Sequence, residues 1–462
     1  MRNERLKILI ATHHFPPQNA SGSLRQYSWA KYWSKMGHDV TVITRTKIRK
    51  ENDLKLDCSF FEVIEIDNIR TKLERLAVRF DKLLKKIQLK NQTDHRKIEP
   101  EKKSLKIKNR VLFEIGKLLN RIIIYNKDVI YNKGVMYAAR TINLLDIGWV
   151  NESFRKVKQN RYDILVSSFV PSTPHLLGLK IKRQSPDIFW VADYRDPWTT
   201  KSSRAKSFFP FNLIEEYLER KVNYAANLII TVSEPLADKI KTKYNIDNVE
   251  VVENGFDTED LENISPEPYW KDNKVRLVYT GSIYPGKRNP SPLFEAIREI
   301  ANSPQKNLLD KLEVIFVGMN TGNLHNLIQK YGVEEWVKYG GNLPREDALR
   351  MQRDAHALIF LESAEVDGIL TGKLFEYLFS GTKILGIGTV DNIGPGKLIK
   401  ESGHGINLGK DVQKIKDYLV KLLVSGKKEY VEKNIKFLEK FTRKRQAEKV
   451  LELVEKYKQK KE

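Results

Sequence analysis

At 462 residues the chain is longer than one hydrophobic core usually supports, and two domains of roughly 200 residues are expected. A hydrophobic content of 41% with 10% aromatics excludes a disordered chain, and the single cysteine, Cys58, excludes an internal disulfide framework and a cysteine-based zinc site. One cysteine fits a reducing, cytosolic setting, and the net charge of +22 calls for an anionic surface, a polyanion or a heavily solvated exterior.

The chain opens on "MRNERLKILIATHHF", whose apolar run of about five residues is too short for a signal peptide and reads as a first β-strand. No stretch approaches the ~18 apolar residues of a membrane span. "THHFPPQNASGSLRQYSWAKYW" follows, with Pro16, Pro17, Ser21 and Gly22 in a small-residue loop that leads into a helix. Such a loop lets backbone N–H groups approach a phosphate. It lacks the GxGxxG spacing, so a dinucleotide fingerprint is not supported.

Between Arg70 and Arg121 lie 17 Lys or Arg against 6 Asp or Glu, half of the net positive charge. Within it Leu73, Leu76, Phe80, Leu83, Leu84 and Ile87 recur at helical spacing. A basic amphipathic helix of this kind can lie on an anionic membrane or be a solvated helix of a lysine-rich protein. No nucleic-acid recognition motif accompanies the charge, so a nucleic-acid partner is not expected.

Short strands and helices alternate from end to end of the chain. "KILIAT", "DVTVIT", "EVIEI", "DILVSS", "FWVADY", "NLIITV", "VEVVEN", "VRLVYTG", "LEVIFVG", "VKYGG", "ALIFLE" and "TKILGIG" are apolar on successive positions, as parallel strands covered on both faces require. Helices such as "LRQYSWAKYWSKMGH" and "PSPLFEAIREIAN" separate them. This is the pattern of doubly wound α/β domains. The polar, proline-containing run 257–274 marks the junction, giving domains of 1–262 and 263–435, with a C-terminal helix over 436–462 that packs back on the first domain. After about Gly426 the chain is expected to be helical to its end.

Ligands of open α/β sheets sit outside the carboxyl ends of the strands. "DYRDPW" supplies Asp193, Arg195 and Asp196 there, able to orient ligand hydroxyls or to form a structural ion-pair network. His175, in "PSTPHLLGLKIK", reads as a helix-start residue that is either structural or part of a site, and His13 and His14 stand beyond the first strand. In "GKLFEYLFSG", Leu374, Phe375, Leu378 and Phe379 cluster on one face, and Glu376 points about 150° away at ~100° per residue. Thr371 can cap this helix, "SG" at 380–381 can close it, and Lys373 is the i,i+3 partner of Glu376. Taken alone, Glu376 is an ordinary polar-face residue.

Read in order, "KILIATHHFPP…SGSLRQYSWAKYWSKMGHDVTVIT", "VADYRDPWT", "TVSEPLADKI…VVENGFD", "VYTGSIYPGKRNPSPLFEAI" and "GKLFEYLFSGTKIL" resemble glycosyltransferases of family 4 over about residues 5–445. "DYRDPW" is similar to an element of one bacterial surface-polysaccharide branch. The resemblance implies GT-B architecture, two Rossmann-like doubly wound domains facing across a cleft. It implies a retaining transfer from a nucleotide-diphosphate sugar, of hexosyl or N-acetylhexosaminyl type, to a saccharide or lipid-linked acceptor. No metal and no cofactor are implied. The front-face route lets the leaving phosphate help deprotonate the acceptor.

The same resemblance assigns residues. Lys287 and Arg288 grip the donor diphosphate, and Ser282 stands at the strand end where many members carry a basic residue. Gly22, Thr371, Gly372 and Lys373 line the donor site, and Glu376 is the last glutamate of an E-x7-E motif that accepts from the ribose hydroxyls. The motif's first glutamate falls at Gly368, beside Asp367, which is the candidate for the sugar-contacting carboxylate. A histidine of many members falls at Ser167 and Ser168, leaving His175 as the nearest alternative. A cytoplasmic enzyme at the inner face of the membrane is the implied setting. Two other readings use the same fold, a non-catalytic sugar-nucleotide-binding scaffold and a sugar-nucleotide epimerase.

Overall fold

The computed structural model describes residues 4–47, 53–67, 146–199, 211–283, 288–318, 323–362, 370–432 and 434–460. The basic stretch 70–121, Lys287, Asp367 and Gly368 lie outside them.

The first sheet holds β1 (Lys7–Ala11), β2 (Asp39–Arg45), β3 (Glu62–Ile66), β4 (Ile164–Ser168), β5 (Phe189–Tyr194), β6 (Leu228–Thr231) and β7 (Val249–Val251). They are parallel, in the order β3-β2-β1-β4-β5-β6-β7. The second sheet holds β8 (Val275–Thr280), β9 (Leu312–Val317), β10 (Val337–Tyr339), β11 (Ala357–Leu361), β12 (Ile384–Ile387) and β13 (Gly405–Gly409), parallel in the order β10-β9-β8-β11-β12-β13. Strand order reverses between β1 and β4 and again between β8 and β11. At each reversal the following helices leave to opposite faces, which opens a crevice at the strand ends. The twelve strands expected from apolar runs are all present. β13, "GINLG", is the addition: two glycines and an asparagine dilute its apolar signal, and pairing with β12 makes it a strand.

The helices that matter for the cleft are α1 (Ser21–Lys35), α2 (Ile147–Val157), α3 (Thr173–Gln184), α4 (Phe211–Ala225), α5 (Glu234–Tyr244), the short α6 (Glu259–Glu262), α7 (Ser291–Ala301), α8 (Asn323–Tyr331), α9 (Arg345–Asp354) and α10 (Gly372–Ser380). Further on come α11 (Gly394–Glu401), α12 (Val412–Ser425), α13 (Ile435–Glu439) and α14 (Arg443–Gln459). The expected unbroken helical tail is corrected here. Gly426 takes φ +59 and ends α12, and the chain then runs extended, with a bridge between Thr382 and Tyr430. A left-handed glycine satisfies the last helix carbonyls and stops the helix.

The C-terminal segment crosses onto the first domain. Phe256 N–H donates to Phe441 O (3.1 Å) and Arg443 N–H to Phe256 O (2.9 Å). Ala447, Val450, Leu453 and Val454 of α14 then join the core under β1 and α1, and Trp33 Nε1 donates to Ala447 O at 2.9 Å. Burying each of these larger apolar side chains is worth about 1.5–3 kcal/mol, which makes α14 part of the first domain's core. No helix among the described residues is long and apolar enough to cross a membrane.

Candidate functional site

A cleft of about 470 Å³ lies between the carboxyl ends of the two sheets. Its C-terminal wall comes from the ends of β8 and β9 and the starts of α9 and α10: Thr280, Ser282, Arg288, Arg345, Gln352, Thr371, Gly372, Lys373 and Glu376. Its other wall includes Asn19, Leu24, Arg195, Asp196 and Asn254. Gly281 and Gly318, at φ +127 and +126, turn the chain out of β8 and β9. A Cβ on Gly318 would come within 2.5 Å of Gly281 O, and one on Gly281 within 2.9 Å of Lys373 Nζ. Both loops therefore close on the floor of the cleft only because these residues have no side chain.

Glu376 is the most constrained carboxylate here. Leu374, Phe375, Leu378 and Phe379 are buried, as the apolar face requires. The other face does not look into solvent, and the Glu376 side chain is only 16% exposed. Arg345 Nη1 donates to its Oε1 (2.6 Å) and Gln352 Nε2 to its Oε2 (3.3 Å). Burial pushes the carboxyl up, but Arg345, then the Arg443 charge and the Gln352 bond, outweigh it and hold it below the usual glutamate range. The local i,i+3 pairing with Lys373 is replaced by a partner from another helix.

Lys373 stands at the second position of α10. Its Nζ is buried with no hydrogen-bond partner among the described residues and lies 3.8 Å from the Tyr279 ring centroid. Burial above all, then the neighbouring Arg288 charge, push the amine well below the ordinary lysine range, opposed in part by Glu376. Arg288 Nη1 donates to Ser282 O (2.8 Å) and Tyr279 Oη (3.3 Å), which bends the Ser282 turn over the same spot. Thr371 precedes α10 with extended backbone but makes no capping bond, and its Oγ1 is buried and unpartnered. A helix start, the Arg288 guanidinium, the Lys373 amine and an uncommitted hydroxyl thus converge where an anion would find donors and, among the described residues, no acceptor already bonded to that amine.

On the opposite wall the sequence candidates separate. Arg195 and Asp196 reach the cleft as a pair, Nε and Nη2 donating to Asp196 Oδ2 at 3.0 and 2.7 Å. Asp193 lies beneath them, fully buried, taking Arg25 Nη2 (3.0 Å) and Nε (3.3 Å), Gln26 Nε2 (2.9 Å) and Ser168 Oγ (2.9 Å). Its position is that of a structural ion pair. Gly22 approaches no open space: a Cβ there would fall 1.3 Å from Arg195 Nη1, so its missing side chain makes room for that guanidinium.

His175 is fully buried at the start of α3, sharing a 2.7 Å bond between Nδ1 and Ser167 Oγ and stacked with Phe169. Burial holds it at about 3. It is part of the first domain's core. His14 is likewise held at about 3, by burial first and then by Arg195, Arg45 and Lys47. Among the described residues no group of three His, Cys, Asp or Glu is placed to hold a metal ion. Arg345, Gln352 and Asn254 were not legible as site residues. Asn254 follows a strand and Arg345 starts a helix, but Gln352 lies in the last turn of α9, and "LPREDALRMQRD" spaces its arginines like any exposed helix.

Residues 116–260 match the family model of Glycosyltransferase Family 4. No curated protein matches the chain. Among solved structures, the chain is similar to the lipopolysaccharide glycosyltransferase WaaG, at 12% identity over 97% of this chain and 99% of that one, with a TM-score of 0.55. It is also similar to TarM of S. aureus, solved with fondaparinux, α-GlcNAc-glycerol and UDP (10% identity, 97% and 99% coverage, TM-score 0.56). Sucrose-phosphate synthase of Thermosynechococcus elongatus matches at 12% identity, 97% and 95% coverage and a TM-score of 0.55. The fold is the GT-B architecture, two Rossmann-like domains matched over the full chain.

Proposed function

We propose that the chain is a retaining glycosyltransferase that takes a sugar from a nucleoside-diphosphate donor and passes it to a saccharide or lipid-linked acceptor in surface-polysaccharide assembly. The observation that carries it is the buried, unpartnered Lys373 amine beside Arg288 and the α10 N-terminus, with the Glu376 carboxylate one helical turn further on. A diphosphate supplies the missing acceptors, and its charge grows as the glycosidic bond breaks. A ribose diol supplies donors to the remaining Glu376 lone pairs.

In this reading Lys373, Arg288 and the first α10 amides stabilise the leaving diphosphate, and Glu376 fixes the nucleoside end. Arg195 and Asp196 face the acceptor. The acceptor oxygen forms the new bond to the anomeric carbon as the bond to phosphate breaks, and the acceptor proton passes to a phosphate oxygen. Catalysis is then orientation and charge stabilisation, without a protein nucleophile or a metal. Lys287 and Asp367 are proposed to add to the diphosphate and sugar contacts.

The membrane is proposed as the working surface, at the cytoplasmic face. Alongside the basic sequence 70–121, α4 supports it: Leu213, Ile214, Tyr217 and Tyr224 are 53%, 43%, 59% and 63% exposed, with Lys221 over the Tyr217 ring. Glu215 and Glu219 of the same helix turn inward, so the outer face is apolar, with Arg220 and Lys221 against the one exposed acid, Glu216. Incubation with UDP-, GDP- and ADP-sugars, with nucleotide release and product anomer as readouts, tests the proposal. Release with a retained anomer supports transfer. Binding without release indicates a scaffold, and failure to bind any of them refutes the donor site.

A further inference from the structure

Arg345 begins α9 directly after Pro344, and its side chain is 16% exposed. Its fork is shared. Nη1 donates to Glu376 Oε1 (2.6 Å), while Nη2 and Nε donate to Asp260 Oδ2 (2.7 and 3.3 Å). Asp260 belongs to α6, the short helix of the crossover between the domains. Its neighbours are gripped from the other side by α1: Lys31 Nζ bonds Asp257 Oδ2 (3.0 Å) and Glu259 Oε2 (2.7 Å), and Tyr32 Oη bonds Asp257 Oδ1 (2.7 Å). An unbroken polar line therefore runs from α1 through the crossover and Arg345 to Glu376.

We infer that Arg345 is a positioning residue, which holds the Glu376 carboxylate in register for a donor ribose by anchoring on Asp260 of the interdomain crossover. The inference rests on the donor reading proposed above. Three facts carry it. First, Arg345 occupies one lone pair of Oε1 and leaves others for hydroxyl donors, so it orients the carboxylate without blocking it. Second, the guanidinium is a rigid plane, so fixing two of its nitrogens on Asp260 fixes the direction of the third toward Glu376. Third, that cation is the largest charge opposing burial at Glu376; with only Arg443 and the Gln352 bond left, the carboxyl moves toward the protonated form, which is a poorer acceptor for a diol. Lysine carries the charge but cannot span both carboxylates.

The test measures Kd of UDP, GDP and ADP, following whichever binds tightest, between about pH 5 and pH 8 on the full chain. Wild type is compared with Arg345→Met, Arg345→Lys, Asp260→Asn and Glu376→Ala, with thermal melting as the folding control. Arg345→Met is expected to weaken binding by about 10- to 100-fold, and its Kd ratio to wild type should rise as pH falls. Arg345→Lys and Asp260→Asn should weaken it by about 3- to 10-fold with a ratio independent of pH, since a cation remains beside Glu376. If Arg345→Met does not fold, the Lys and Asn variants decide the matter. Wild-type affinity in Asp260→Asn overturns the anchor, and a pH-independent ratio in a folded Arg345→Met overturns the positioning role. Wild-type affinity in Glu376→Ala would instead overturn the donor reading itself.

Discussion

Replacing Lys373 with methionine should move stability and ligand affinity in opposite directions. In the free protein the amine has lost its hydration, has no acceptor among the described residues and stands next to Arg288. An isosteric apolar chain removes that burden, and stability should rise by ~1–3 kcal/mol. With a diphosphate oxygen about 4 Å from the amine and an effective dielectric near ~20, the attraction per unit charge is about 4 kcal/mol. Desolvating the anion takes back a part. A net loss of ~2–3 kcal/mol in Lys373→Met corresponds to a Kd weakened about 30- to 150-fold. There is a proton signature as well. The free amine is held well below its ordinary range, and an adjacent anion draws it back up. Between those two values wild-type binding takes up a proton and tightens as pH falls, whereas the variant takes up none at this position. Calorimetry in buffers of different ionisation enthalpy reads the proton, and urea denaturation reads the stability. A variant less stable than wild type with an unchanged Kd would refute the reasoning, and make Lys373 a packing residue.

Asp193→Asn removes the charge that Arg25 needs in a dry network, and unfolding stability should fall by about 3–5 kcal/mol. Loss of activity at full stability would instead move Asp193 into the acceptor site. His175 is neutral in the folded chain down to about 3 but titrates near its ordinary 6.5 when unfolded. The unfolded state then binds the extra proton, so stability falls on acidification through that window by up to about 1.4 kcal/mol per pH unit. His175→Leu should flatten the slope, leaving the same-signed part due to His13 and His14; denaturation midpoints at several pH values would expose an unchanged slope. Replacing Leu213, Tyr217 and Tyr224 together by serine should weaken sedimentation with phosphatidylglycerol-containing vesicles by at least about 10-fold. Equal sedimentation would leave α4 without a role at the membrane.

Much of the architecture was legible because parallel strands covered on both faces are apolar on most successive positions; the central runs follow that rule, while the edge strands β3 and β10 carry Glu62, Glu65 and Lys338 and were still apolar enough to be read. β13 was not, since its strand character comes from pairing with β12 rather than from its own residues. The residues after Gly426 misled for a related reason. Lysine- and glutamate-rich sequence is helix-compatible throughout, and only the left-handed Gly426 and the Thr382–Tyr430 bridge show where the helix stops.

At the site the division is sharper. The sequence alone determined that α10 exists, which of its sides is apolar, and that Gly372, Lys373 and Glu376 follow a strand end. Local spacing then assigned Lys373 to Glu376, the only opposite charge within a turn. Tertiary structure decided otherwise: Arg345, 31 positions earlier, takes the carboxylate, and Lys373 is left with an aromatic face. It likewise sent Asp193 inward and Arg195 toward the cleft from one short motif, because the strand ends at Tyr194 and its alternation of faces ends there too. Periodicity depends on neighbours along the chain and can be read from it. Which charges meet in a dry cleft depends on how two sheets face each other, and no local pattern encodes that.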